Sequence, residues 1–402
     1  MQEYNNSNVY KYTAEMKLLA EESTYYVDNI NIRSIVIDSD YKNMNMPMVF
    51  LTLSIDRRLI DIMIKNQNVA SVVFNIKRCV TNSDMPDLFT DYINDEFIYF
   101  VANDINKNDE YDYGGNNEDR EDLFKIISIG LLSLKHINKN KRLINGIFSG
   151  SLSSMMHYIT EDLDILIEPP VNNDMLENLV IPPMNSVAKY LEYLNSVKVF
   201  YDTQYRFFIG FDCAYLISSS GDGIEEEKES INNVIITIKN SYDESSKIQG
   251  MITNETQSVY EIQADAQDCE LSDNYLNEKS YSKLSYTNTS GNNSNVKLKS
   301  ITENSIINEK IRSLRISNEN DGIINNIVSS MDNSSIQLLI QKNDIDSEVL
   351  TINKEYTIKA DETYNTDRYN GKYILVRKRE LYIREDETFT MCVMLLFEKV
   401  IK

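Results

Sequence analysis

The sequence predicts a β-rich α+β protein, and three observations carry that prediction. Segments rich in β-branched and aromatic residues, with partial alternation of apolar and polar positions, occupy both the N-terminal and the C-terminal parts of the chain. Apolar residues at helical spacing are clearest in one segment near the start and in the middle of the chain. Hydrophobic residues make up 42% of the 402, which is the globular norm and excludes wholesale disorder. A chain of this length predicts two or three domains.

The first patterned segment, Tyr26–Asp38, reads as a strand. Met44–Asn66 gives a second strand to about Leu53, and then a helix capped by Ser54 or Asp56, with Leu59, Ile60, Met63 and Ile64 on one face. Ala70–Ile76 and Phe97–Val101 continue as strands, so the opening unit is β-rich with one helix packed on it, and a mixed sheet or a barrel fits equally. Asp104–Asp122 is strongly acidic and carries Gly114-Gly115. Its Asp109, Asp112, Glu118 and Asp119 do not follow the alternating spacing of a calcium loop, so a solvated insertion is expected there.

Leu123–Asp164 begins as a strand and passes into short helices, the second near Ser151–Ile159. Leu163–Ile167 reads as a short buried strand closed by Glu168 and Pro169-Pro170. After Pro182-Pro183, a helix over Ser186–Leu194 places Val187, Tyr190, Leu191 and Leu194 on one face. Val197–Tyr201, Arg206–Gly210 and Cys213–Ser218 are expected as strands of one sheet. Gly221–Glu229 is an acidic loop, and Val234–Lys239 resumes strand character. From about Asp243 to Asn304 polar residues dominate, with alternating pieces at Ser258–Ala264 and Val296–Leu298, which predicts long hairpins inserted in the β region. A helix is expected at Asp321–Met331. Strands are expected at Ile336–Gln341, Glu348–Ile352, Tyr356–Lys359, Lys372–Ile383 and Phe389–Lys399.

Chemistry is sparse by comparison. The chain has 62 acidic against 40 basic residues and a net charge of −22, which argues against a protein that grips nucleic acid. The same charge is compatible with one that lets DNA pass without adsorbing it. Cys79, Cys213, Cys269 and Cys392 are widely separated, so neither a disulfide framework nor a zinc site is expected, and a reducing compartment follows. His136 and His157 belong to no metal-binding spacing. The N-terminus lacks an apolar signal core and no stretch reaches the ~20 apolar residues of a membrane span, so a soluble protein made in a cytoplasm is expected.

Nucleophile-elbow, phosphate-loop and dinucleotide motifs are absent from the sequence. The clusters Glu161/Asp162/Asp164 and Glu385/Asp386/Glu387 are of the type used in sugar hydrolysis, but read more simply as turn residues in so acidic a chain. No catalytic, cofactor-binding or metal-binding residue is assigned, and no cofactor is expected. The frequent Asn, Ile, Lys and Tyr, with 26 tyrosines and no Trp, fit an AT-rich genome. One charge feature stands apart: Arg368, Lys372, Arg377, Lys378, Arg379 and Arg384 crowd a stretch whose one acid is Glu380. Alternation splits them over both faces of a strand, leaving two readings: pairing with an acidic neighbouring subunit, or a solvated edge strand.

Three segments together resemble the baseplate hub family of contractile-tailed bacteriophages, the adaptors between tail tube and spike. Met46–Asn66 is similar to the opening of that family's first tube-like domain, and Pro182-Pro183 with its helix, followed by Val199–Ser219, to its middle region. Asn370–Lys399 is similar to its closing hairpin. The acidic insertion Asp104–Asp122 and the polar stretch Asp243–Asn304 fall outside the resemblance. It implies two tube-like β-barrel domains: residues 1–122 with one helix and an acidic loop, and 233–402 with the polar insertion at about 243–304. Between them lies a mixed α/β middle, 123–232. It further implies a structural virion protein without enzymatic activity, a homotrimer that contacts tail tube, central spike and other baseplate proteins. DNA would meet it only in passage through the channel. The expected location is the tail baseplate of the virion, after assembly in the host cytoplasm. A wedge or tube-terminator protein, and a glycan-binding or glycan-hydrolysing tail protein, are the competing readings.

Overall fold

The computed structural model describes residues 9–20, 22–81, 88–102, 124–201, 205–218, 233–239, 250–254, 257–265, 269–273, 283–286, 296–299, 334–340, 350–352, 355–360 and 370–399. The expected helix at Asp321–Met331, the acidic insertion and the Gly221–Glu229 loop lie outside these residues.

The N-terminal strands are β1 (Val9–Ala20), β2 (Ser23–Val27), β3 (Ile32–Asp40), β4 (Met48–Asp56), β5 (Ser71–Thr81), β6 (Phe89–Val101) and β7 (Phe124–Ser133), with helix α1 (Arg57–Asn66) after β4. The middle of the chain gives α2 (Leu134–Asn140), β8 (Gly146–Ser151), α3 (Leu152–Ile159), β9 (Ile165–Ile167), β10 (Met175–Ile181), α4 (Val187–Val197), β11 (Tyr205–Ile209) and β12 (Ala214–Ser218). Beyond it come β13 (Asn233–Lys239), β14 (Gly250–Asn254), β15 (Gln257–Asp265), β16 (Cys269–Asp273), β17 (Lys283–Tyr286) and β18 (Val296–Lys299). The last strands are β19 (Ser334–Ile340), β20 (Glu355–Ala360), β21 (Gly371–Glu385) and β22 (Thr388–Lys399). The fold is therefore β-rich α+β, as the sequence predicts.

Period-two burial explains the long strands. In β1, Tyr10, Tyr12, Ala14, Met16 and Leu18 are buried while the residues between them face outward. The same alternation is present in the sequence of this segment, VYKYTAEMKLLA. The expected strand Tyr26–Asp38 is broken at Asn29–Asn31 by a short 3₁₀ turn. The Asn29 side chain is used there in tertiary structure, accepting from Ala14 N and donating to Glu387 O. In α1, Asp56 rather than Ser54 is the cap and accepts from Arg58 N at 2.7 Å, a contact typically contributing about 1 kcal/mol. Ile60 and Met63 are buried beneath α1, whereas Ile64 is exposed.

One large mixed sheet gathers strands from both ends of the chain. Its path runs β14–β15–β13–β20–β21–β3–β4–β7–β6–β5–β1–β22–β19–β16, with β2 added to β1. Most pairings are antiparallel; β13 pairs in parallel with β15 and β20. Because β22 also pairs along most of β21, the run from β21 through β3, β4, β7, β6, β5 and β1 to β22 ends beside the strand where it began. A single hydrophobic cluster fills this region, from Tyr12, Leu51 and Phe97 to Tyr356, Tyr373 and Phe397.

The middle of the chain has its own core, built on Leu152, Met156, Ile159, Tyr190, Leu191 and Leu194 from α3 and α4. The Tyr190 hydroxyl ties two loops to this core, donating to and accepting from the backbone of Ile144 and of Met184 at 2.7–2.9 Å. Two expected strands are corrected here. Over Val197–Tyr201 no strand forms: α4 continues to Val197, and the third strand beside β11 and β12 is β9. Side chains supply what a ladder would have supplied, with Asn195 Oδ1 accepting from Phe200 N and the Tyr201 hydroxyl donating to Glu168 O and Leu216 O. Likewise 350–352 is not a strand; the Tyr356 hydroxyl both donates to and accepts from the Thr351 backbone at 2.8 Å.

Candidate functional site

A dense arrangement of charged side chains lies where the β21–β22 hairpin meets β3 and the middle region. The basic stretch of the sequence is not an edge: β21 pairs with β22 on one side and with β20 and β3 on the other. Its cations find partners within the chain. Asp38 takes two bonds from Arg377, at 2.8 and 2.5 Å, and a further pair from Arg379, the nearer at 2.7 Å. Burial raises the Asp38 pKa, but the two guanidiniums outweigh it and hold the carboxyl below its usual value. Lys372 pairs with Glu355, and Arg384 donates to the backbone of Ile30 and Asp386. Arg368 lies outside the described residues.

On the other face of β21, Lys378 lies 3.4 Å from Glu380, which also accepts from the hydroxyls of Tyr92 and Tyr382. Burial pulls the Lys378 pKa down, yet Glu380 and Tyr41 push it up and prevail, so the ammonium stays charged. Nearby, Arg206 of β11 is buried and reaches Leu375 O and the Glu398 carboxylate, each at 3.3 Å. Lys42 completes the group at 2.7 Å from the other Glu398 oxygen. Arg206, together with the Tyr41–Phe208 ring contact and the Ile209 N to Asn45 O bond, fastens the middle region to the large sheet.

A cavity of about 120 Å³ sits at this junction, bounded by Tyr41, Phe208, Asp212, Leu350, Lys378 and Glu380. It has room for a few waters at ~30 Å³ each and is well short of the ~300–1,000 Å³ of ordinary ligand pockets. Lys378 and Glu380 on its wall are paired with each other. The arrangement therefore fixes three segments of chain together rather than presenting a reactive group to a substrate.

Of the acidic clusters singled out in the sequence, the first is held by an arginine. Arg142 bridges Glu161 and Asp162 at 2.7 and 2.6 Å, and its guanidinium lies over the Tyr158 ring. Glu385, Asp386 and Glu387 form the tip of the β21–β22 hairpin, with Asp386 at φ 53°. Asp109, Asp112, Glu118 and Asp119 lie outside the described residues. Ser133, His136 and Asp95 come together, yet not as a nucleophilic triad. Ser133 caps α2 by accepting from His136 N and bonds Asp95 through its hydroxyl, while the imidazole joins neither. His136 is buried against Phe211, with only a weak approach to the Gly210 backbone. Burial pushes its pKa down to about 4, despite the opposing pull of Asp95.

Cys79, Cys213 and Cys392 are thiols, and no cluster of metal-ligating residues occurs among the described residues. No helix among them is long and apolar enough to cross a membrane. Sequence reasoning missed Asp38, Arg206 and Glu398. Each has its partner far away in the chain, as Arg206 has with Glu398 192 residues on, so no local spacing marks it.

A family model described as "Bacteriophage PBS1 gene 109 protein" matches residues 6–396, nearly the whole chain. The chain belongs to the Bacteriophage PBS1 gene 109 protein family. No curated protein matches it. Among solved structures it is similar to a tail protein from Neisseria meningitidis MC58, at 10% identity and TM-score 0.46 over 96% of this chain and 97% of that one. It is similar also to the 43 kDa tail protein of prophage MuSo2 from Shewanella oneidensis, at 9% identity and TM-score 0.41 over 95% and 96%. A Francisella PdpA–VgrG complex is matched at 11% identity and TM-score 0.40, over 98% of this chain and 54% of that one.

Proposed function

We propose that this member of the family is a structural protein of the phage tail, and within the tail the baseplate hub joining the tube to the central spike. The observation that carries the reading is the return of the strand path upon itself. The segments that resemble the hub family at the two ends of the sequence, Met46–Asn66 and Asn370–Lys399, become β4–α1 and the β21–β22 hairpin of one sheet, only β3 lying between β4 and β21. In this reading the β21–β22 pairing would close the N-terminal strands into a barrel. The far end of the same hairpin serves a second set of strands, β20 with β13 on one side and β19 with β16 on the other. Two tube-like domains, close to residues 1–122 and 233–402, would thus share one hairpin, with 123–232 docked on it through Arg206.

In this reading three copies form a ring that continues the tail tube above, receives the spike below and leaves a channel for DNA. The protein acts through its interfaces and catalyses no reaction. Its place is the virion baseplate, reached after assembly in the host cytoplasm. Quantitative mass spectrometry of purified particles tests this. Three copies per tail are expected; six or more would favour a wedge or tube terminator instead, and absence from the particle would remove the structural reading altogether. Hydrolysis of host cell-wall glycan by the purified chain would establish the enzymatic alternative.

A further inference from the structure

The β11–β12 hairpin is the layer between the two cores. Phe207, Ile209 and Leu216 enter the core of the middle region, while Phe208 and Ile217 enter that of the large sheet. Its turn, residues 210–213, covers helix α2, which packs on β6 and β7 of the sheet. The turn is held at its two ends, by Ile209 N donating to Asn45 O and Ala214 N to Asp164 O, each at 2.8 Å. Between those ends Phe211 is only partly buried, with its ring 5.1 Å from the His136 imidazole. Residues 210–213 also line the cavity of about 120 Å³, so the cover over His136 is not packed solid.

Beneath that cover His136 is fully buried, and among the described residues neither ring nitrogen has a hydrogen-bond partner of good geometry. A neutral ring can be held this way, but an imidazolium brings a charge and two donors that need solvation. Its surroundings do not supply it. Asp95 of β6 already accepts from the Ser133 hydroxyl, and Lys135 and Lys139 of α2 itself oppose a further positive charge. The turn adds Asp212 and the Cys213 thiol, both near Lys139, and across the cavity Lys378 and Glu380 pair with each other. We propose that residues 210–213 form a proton-operated latch: a proton on His136 swings Phe211 off the ring and opens the junction cavity to water, while both cores stay folded. Opening breaks no strand pairing, since β11 and β12 pair only between Tyr205–Ile209 and Ala214–Ser218, and the Arg206–Glu398 contact lies outside the turn. It gives up the partial burial of one aromatic ring, whereas a protonated ring under a closed latch is an ion out of water. Burial holds the closed His136 at about 4 against an ordinary 6.5, so opening is disfavoured above pH 6.5 and gains as pH falls toward 4. The latch does not depend on the tail-assembly reading.

The test uses the full chain, which has no Trp, so Phe211→Trp places a single indole in the latch. On titration from neutral pH toward 4 its emission is expected to shift to the red and become open to acrylamide quenching. The expected midpoint lies between pH 4 and 6.5, with far-UV circular dichroism unchanged over that range. Adding His136→Phe is expected to abolish the shift. An emission that does not respond to pH, a shift that survives His136→Phe, or one that comes only with loss of circular dichroism overturns the proposal. Because the indole is larger than the ring it replaces, the wild type is read as well, by NMR of its two histidines, with His157→Gln giving the assignment. The His136 signal is expected to titrate between pH 4 and 6.5; titration at the ordinary 6.5, or none above pH 4, overturns the latch.

Discussion

His136 has no share in any site, and its protonation nonetheless bears on the fold. With its pKa pushed down to about 4 in the folded chain, against an ordinary 6.5, it remains neutral where the unfolded chain takes up a proton. Stability is then fully present above pH 6.5 and falls as pH drops toward 4, by roughly 3 kcal/mol at the acid end of that window. Urea denaturation across the window should show this slope in the wild type and lose it in His136→Phe. Asp38 is the second sensitive residue. Replacing it by Ala strips both Arg377 and Arg379 of their partner, and because those guanidiniums reach solvent the cost is about 1–3 kcal/mol rather than that of a fully buried ion. Denaturant midpoints of Asp38→Ala and of the triple variant lacking both arginines should agree to within a fraction of that cost. A large further loss in the triple variant would show that the arginines act through other contacts.

Elements were legible in the sequence wherever their own pattern decided them. The strands β4, β7, β20, β21 and β22 and the buried face of α4 fall where alternation and helical spacing put them. What failed was local pattern overruled by a distant partner: Asn29 breaking the expected strand Tyr26–Asp38, Tyr201 and Asn195 replacing the one at Val197–Tyr201, Tyr356 replacing the one at its Thr351 contact. The fastening at Arg206 could not be read at all, since its partners lie on two strands far along the chain. Gly130 shows the same dependence between elements. A Cβ there would overlap the Phe100 ring that lies against it from the neighbouring strand, so the glycine is what lets that ring lie flat on the sheet. Gly130→Val should cost about 1–3 kcal/mol, and Phe100→Ala in the same chain should recover part of it. Thermal denaturation of the single and double variants reads the coupling directly.

At the scale of the whole molecule, the N-terminal and C-terminal strands share one hydrophobic core and one hairpin, and the middle region is fixed to them by a buried ion group. Such a build suits a part that transmits position rather than one that carries out chemistry. In the proposed hub the net charge of −22 would serve solubility before assembly and passage of DNA after it. The central claim is that this chain is the three-fold adaptor between tube and spike. A cryo-electron-microscopy reconstruction of the intact tail tests it most directly. The account predicts three copies in a ring at the tube–spike junction, with an open channel at the centre. Density for this chain on the outside of the baseplate, or in six copies at the head-proximal end of the tube, would contradict it.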